Sequence, residues 1–293
     1  MNCLTKSYLF LDEPNARGNF IGRYYALSEL HKYTNTAFLG EGGDELFLGY
    51  WPSYWYWYHH PVVALALHPL IKVLDRIING YTSRSQFKLK TLNRIISMTE
   101  SSENTDLALM TWFTKTSPSI LKPIFTYSVP YDFIDKKMLL RVSSISDTIS
   151  KTSLFLFMLL TQSDVTVDEN ICSRLGLELK LPYLDSRIVR FAFSINPRHK
   201  LRGKVTKYLL RKVIERYNLI PAEIAQQEKS GFTSAYFYDE EFLLQQLQEC
   251  YSTTNNTILR KILYHASRSH DLSIMVSVSI LCRWYENNVR NII

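Results

Sequence analysis

The sequence is poor in cysteine and has no long apolar run, and each shortage closes off a class of protein. Four cysteines (Cys3, Cys172, Cys250, Cys282) are spread over 293 residues, with no pair at metal-ligand spacing. That scatter argues against a zinc site and against a disulfide framework, and it suits a reducing cytoplasm. The apolar stretch PVVALALHPLI is about half the length needed to span a bilayer. With its aromatic lead-in, YWPSYWYWYHH, it reads as a buried or interfacial helix, so no membrane insertion is expected. The opening MNCLTKSYLFLDE has one lysine and too short an apolar run for a secretory signal. Neither internal repeats nor low-complexity linkers interrupt the chain.

What is present describes a folded protein. The chain is 46% hydrophobic and 21% charged, within the range of globular domains and far from disordered ones. Its formal net charge of +7 attracts anions, which fits nucleotides, phosphate-rich polymers or acidic partners equally well. No nucleic-acid motif appears, and the basic residues follow no continuous helix face, so a nucleic-acid partner is not expected. FIGRYYALSELHKY has helical spacing, with Ile21, Tyr24, Tyr25, Leu27 and Leu30 apolar. YTNTAFLG predicts a short buried strand, Thr36 to Leu39, and DELFLGYWPSYWYWY a helix start with Asp44 near its free backbone N–H groups. The first fifty residues therefore resemble a fragment of an α/β unit. VVALALHPLIKVLDRII, DLALMTWF, SLFLFMLLTQSDV and SIMVSVSILCRWYENNV predict a mainly helical remainder. TKYLLRKVIERY predicts an amphipathic helix, with Leu209, Leu210, Val213, Ile214 and Tyr217 on one face and Lys207, Arg211 and Glu215 on another.

Three stretches carry possible chemistry. In FLGEGGDELFLGY, Gly40, Gly42 and Gly43 permit close approach of a ligand to the backbone. Their N–H groups near a helix start could cradle an anion. Carboxylates suit such a cradle poorly unless a Mg²⁺ sits between them and a polyphosphate; without a ligand, the same residues make an ordinary strand-to-helix turn capped by Asp44. The second stretch, LELKLPYLDSRIVRFAFSINPRHKLRGKVTKYLLRK, concentrates Arg198, Lys200, Arg202, Lys204, Lys207, Arg211 and Lys212. It could neutralise a triphosphate, or simply be a solvated basic face. In the third, QQEKSGFTSAYF, Lys229 precedes a Ser-Gly hinge.

In this order, GEGGDELFLGY, LELKLPYLD, KYLLR and EKSGF resemble the synthetase domain of the glutamine-dependent asparagine synthetases and related amide-forming enzymes. That family reads approximately S-G-E-G-x-D-E-L-F-G-G-Y, L-E-x-R-x-P-F-L-D, K-x-x-L-R and K-x-G-F. The resemblance extends from Leu11 to about Tyr238. It implies a Rossmann-like adenine nucleotide alpha hydrolase fold of the pyrophosphate-loop type, α/β in class, predominantly helical and N-terminally incomplete. Residues 1–50 would be a remnant of the nucleotide-binding sheet, and 51–293 the mainly helical remainder of one partial synthetase domain. It further implies ATP and Mg²⁺ as cofactors and adenylation of a carboxylate, aspartate or a specialised analogue, followed by amide formation. Glu41 and Asp44 match the acids that serve metal and substrate, Gly40, Gly42 and Gly43 the loop itself. Lys207 matches the lysine of K-x-x-L-R, and Lys229 the loop lysine that faces the phosphates. The family's further acidic position falls on Glu169, or on Asp168 with one insertion.

The departures are specific. Leu39 stands for the family's Ser, Leu48 for one of its paired Gly, and Lys180 for its Arg. The S-G-G-x-D-S pyrophosphate loop is nowhere in the chain, and neither is a glutaminase with its leading cysteine. The expectation is an enzyme inactive without that loop, which a separate chain could supply. The alternative is a non-catalytic remnant or regulatory subunit that binds a partner chain.

Overall fold

The computed structural model describes residues 10–13, 19–50, 141–225, 239–268 and 272–289. The expected helices in VVALALHPLIKVLDRII and DLALMTWF, and Lys229 with its Ser-Gly hinge, lie outside the described residues. The chain divides into two compact units, one comprising 1–46, 159–194 and 210–293, the other 47–158 and 195–209.

The first unit opens with helix α1 (Phe20–Leu30), which buries Phe20, Ile21 and Leu27. Tyr25 and Leu30, expected on the same apolar face, are exposed. Strand β1 (Thr36–Phe38) ends one residue before its expected limit, and helix α2 occupies only Gly43–Leu46. In the second unit, helix α3 (Thr148–Leu156) begins at Asp147, whose carboxylate accepts the Ser150 N–H at 2.7 Å, satisfying one of the donors that a helix start leaves open. A π-helical stretch, Phe157–Thr161, follows it.

The first unit resumes with helix α4 (Gln162–Leu175), closed by Gly176 at φ +72°. Glycine adopts this left-handed geometry without a Cβ penalty, which is why it ends so many helices. Strand β2 (Glu178–Lys180) then pairs parallel to β1, with Thr36 opposite Glu178, Ala37 opposite Leu179 and Phe38 opposite Lys180. Ala37 is fully buried, but Phe38 is 72% exposed. The expected buried strand is thus buried on one face only. After a 3₁₀ turn at Pro182–Leu184 come helices α5 (Ser186–Ser194) and α6 (Tyr208–Tyr217).

After short helical turns at Pro197–Lys200 and Ala222–Ala225, helices α7 (Glu240–Thr253), α8 (Thr257–Ser267) and α9 (Leu272–Asn288) pack against one another. Asp239 and Asn256 cap α7 and α8 through their side chains. One apolar core runs from α1 and α4 into this bundle: Phe20, Leu27 and Ile171 share it with Leu243, Leu247, Leu263 and Met275. Burying each such side chain contributes about 1.5–3 kcal/mol. The apolar face expected along α6 is different. None of its residues is buried, and Tyr217 is 64% exposed. No described helix is long and apolar enough to cross a membrane.

Candidate active site

Parallel pairing of β1 with β2 brings two distant motifs together. Each strand runs out into one of them: β1 into Gly40–Asp44, β2 into Pro182–Asp185. The ladder is continued by the Leu39 N–H, which donates to the Lys180 carbonyl at 3.0 Å. The two motifs then meet through side chains. A Cβ on Gly42 would stand 2.6 Å from Leu184 Cδ2, and one on Gly43 would stand 3.2 Å from the Tyr183 ring. Gly42 also has φ +86°, a conformation that L side chains rarely adopt. The glycines therefore answer first to a packing and backbone demand: the loop lies directly against Tyr183 and Leu184.

Glu41 is half-buried and points into a charged cluster that its neighbours in sequence do not reveal. Arg23, on α1, places Nη2 at 2.7 Å from Glu41 Oε1 and 3.6 Å from Asp164 Oδ2. Its Nη1 donates to both Asp168 oxygens, at 3.1 and 3.0 Å. Asp164 and Asp168 lie one helical turn apart on α4, so both carboxylates share the face that meets α1. With all three acids ionised, the cluster would carry three negative charges against one positive. Asp168 is completely buried and takes the consequence. Burial pushes its carboxyl up to about 7; Arg23 opposes the rise, and Glu41 and Asp164 add to it. Burial also works against the Arg23 charge, but Asp168, Glu41 and Asp164 outweigh it and hold the guanidinium more firmly protonated. The two directions agree if the cluster keeps its cation and stores a proton on its deepest acid near neutral pH.

Asp44 sits in the first turn of α2, with buried Glu45 beside it. It is the second residue of that helix and not its cap. The helix stops at Leu46 because the chain turns left-handed at Leu48, φ +58°. That is the position at which the resembled family carries Gly, and the backbone conformation gives the reason. Leu48 bears a Cβ penalty of about 1–2 kcal/mol there, offset by its complete burial.

Lys207 also differs from expectation. It precedes α6, with φ +52°, and is not part of the regular helix. Helix geometry begins at Tyr208, so the lysine occupies an entry turn. Of the two candidates for the further acidic position, Glu169 is exposed and Asp168 joins the Glu41 cluster. Sequence reasoning missed Arg23 and Asp164. The i,i+4 spacing of Asp164 and Asp168 was an available signal for one of them; nothing local marked Arg23.

Lys180, standing for the family's Arg, donates to the neighbouring Glu178 and is solvent-exposed. Asp185, at the end of the turn, accepts three bonds from Arg187, through the backbone N–H, Nε and Nη2, each at 2.9 Å. Those side-chain and backbone bonds hold its carboxyl down at about 2.

A small parallel sheet that delivers a glycine-acid loop against an L-P-Y-L-D turn, among helices, is consistent with the α/β class. Comparison with known proteins supplies the family. The asparagine synthase family description matches residues 1–272, beyond the Tyr238 limit of the motif resemblance, and the chain belongs to that family. Asparagine synthetase [glutamine-hydrolyzing] 1 of Bacillus subtilis is 25% identical over 233 residues, covering 79% of this chain and 36% of that protein. Asparagine synthetase B [glutamine-hydrolyzing] of Escherichia coli is 35% identical over 65 residues, 22% of this chain and 11% of its own. Human asparagine synthetase [glutamine-hydrolyzing] is 39% identical over 59 residues, 20% of this chain and 10% of its own. The chain thus spans about a third, or less, of these relatives. No solved structure matches it.

Proposed function

We propose that the chain carries the acidic side of an ATP-dependent, AMP-forming amide-synthesis site on a Rossmann-like pyrophosphatase fold. The observation that carries this reading is the packing of Gly42 and Gly43 under Tyr183 and Leu184, with Glu41 anchored beside them. In the reaction a substrate carboxylate oxygen attacks the α-phosphorus of ATP, and the bond to pyrophosphate breaks. An amine nitrogen then attacks the acyl carbon and releases AMP. Adenylation gives the carboxylate a leaving group that it otherwise lacks.

The donor set fits a magnesium ion held jointly with phosphate. Glu41 and Asp44 are half-buried carboxylates beside glycine backbone, and Mg²⁺ is commonly bound by one or two carboxylates plus phosphate oxygens. When bound, the ion would neutralise charge on the departing pyrophosphate. The chain's own part is distinct: Arg23 restrains Glu41, Gly42 and Gly43 let the loop pack against Tyr183 and Leu184, and Gly40, with nothing within 4 Å of where a Cβ would stand, leaves room for the nucleotide. Lys207 would contribute positive charge to nucleotide or pyrophosphate binding, and Lys229 would meet the phosphates as charge develops.

Residues 1–50 thus serve the nucleotide side, and a pyrophosphate loop must come from outside these 293 residues, on the same or a separate chain. Aspartate is the substrate we test first, in a cytoplasmic setting. One observation favours the second reading, a non-catalytic subunit: Glu41 is already engaged by Arg23 at 2.7 Å. ATP–pyrophosphate exchange separates the two. Exchange should be absent with this chain alone and appear when a fragment bearing the loop is added. It should then fall by several orders of magnitude in Glu41→Gln and Asp44→Asn. Continued absence of exchange after the two pieces have demonstrably associated would favour the non-catalytic reading.

A further inference from the structure

Away from the glycine loop, the helical bundle brings together two cysteines that are 32 residues apart (282 minus 250). Cys250 on α7 and Cys282 on α9 are both completely buried. The Cys282 thiol is hydrogen-bonded to Cys250, which together with burial raises it far above the ordinary thiol range, while the accepting Cys250 sulfur is lowered. Glu286 lies one helical turn beyond Cys282. One ligand atom from each of the three residues falls within 4.8 Å of the others. Spacing along the sequence could not show this, because the pair is assembled by packing.

We infer that Cys250, Cys282 and Glu286 form a binding site for a soft divalent cation of the zinc class. Two thiols alone would pack as small apolar groups, but the third member is a carboxylate held beside them. Thr253 Oγ1 donates to Glu286 Oε1, and Arg283 Nη1 donates to Glu286 Oε2 at 3.3 Å. Such outer contacts orient a ligand before the ion arrives. With Zn–S of about 2.3 Å, a tetrahedral ion sets its sulfurs about 3.8 Å apart, within reach of the observed cluster by small rotations of three side chains.

Binding releases the two thiol protons, so two thiolates and one carboxylate give −3, and the ion brings the site to −1. Arg283 offsets part of that charge, since its Nη2 is also held by Gln246 Oε1 at 2.8 Å and by the Glu249 carboxylate at 2.7 Å. Glu286, with 16% of its side chain exposed, provides the way in. A water would take the fourth position. The site would tie α7 to α9, adding a cross-link to the bundle that packs beside the catalytic half of this unit.

The test uses the full chain, reduced and stripped of metal, titrated with Co²⁺ as a spectroscopic stand-in and then with Zn²⁺. One equivalent of Co²⁺ should give a thiolate-to-metal charge-transfer band in the near ultraviolet, and one equivalent of Zn²⁺ should remove it. Cys282→Ser should lower the band by about half or more, with one thiolate left, Glu286→Gln should weaken Co²⁺ binding by about tenfold or more, and Cys172→Ser should leave the band unchanged. The inference is overturned if the folded, reduced protein gives no band, if the band keeps its full intensity in Cys282→Ser, or if Glu286→Gln binds as tightly as the parent. Should Cys282→Ser fail to fold, the Glu286→Gln measurement decides.

Discussion

Replacing Asp168 with asparagine tests the charge account of the Arg23 cluster directly. The Asp168 side chain is completely buried, and its carboxyl rises from the ordinary 3.8 to about 7. At about 1.4 kcal/mol per pH unit, that rise corresponds to about 4 kcal/mol. Unfolding should register about 2–4 kcal/mol of it. Between pH 4 and 7 the folded protein holds a proton that the unfolded chain has lost, so the contribution is fully present below pH 4. It fades as pH rises through 7. The asparagine side chain would be neutral throughout and would still offer Arg23 an acceptor. Urea unfolding followed by circular dichroism at pH 5, 6, 7 and 8 would give stabilities for both proteins, and their difference cancels most other titrating groups. About a third of the fade is already complete at pH 5, so the variant should gain on the parent by about 1–3 kcal/mol from pH 5 to 8. A parent that gains on the variant with rising pH would refute the reasoning: Arg23 would then hold Asp168 ionised, and burial would not be the larger effect.

Three further outcomes follow from the same geometry. Gly42→Ala, at φ +86° with Leu184 Cδ2 2.6 Å from the new Cβ, should destabilise the fold by about 1–3 kcal/mol in urea unfolding. Leu48→Gly should be more stable than Leu48→Ala by about 1 kcal/mol, the reverse of the usual order, because only glycine relieves the left-handed strain at φ +58°; the usual order would show that the strain is absent. In the complemented enzyme, Lys229→Ala should lower kcat sharply with KM for ATP nearly unchanged, and Lys229→Arg should rescue poorly, since a planar guanidinium does not replace a compact ammonium. A change in KM alone would remove the transition-state role.

What was legible in the sequence was local. The strand TAF, helix α1 and the glycine-acid loop could be read because their signals lie within a dozen residues. The match of four ordered motifs gave the family. What could not be read depends on partners distant in the chain. Arg23 belongs to an amphipathic helix that needs no charge partner to form, so its bonds to Asp168 and Glu41 appear only once α1 and α4 pack. Cys250 and Cys282 looked scattered for the same reason. Lys207 was expected within a helix because KYLLR continues the helical period, yet periodicity does not report where a left-handed residue starts the turn. Tyr217 illustrates a related limit: an apolar face can be seen in sequence, but not whether anything covers it.

The three-rung ladder between β1 and β2 has a kinetic meaning as well. Its strands begin 142 residues apart (178 minus 36), and closing so long a loop costs more than about 4 kcal/mol of chain entropy before any contact offsets it. Three backbone rungs cannot meet that cost alone, so α1 must already be docked on α4 when the strands join. The glycine loop and the Tyr183–Leu184 turn therefore meet late in folding, and their backbone N–H groups should become protected from hydrogen exchange after those of the α1–α4 contact as the chain refolds. Substitutions among the apolar residues of the α1–α4 contact would then slow the appearance of the folded loop more than they change its final structure.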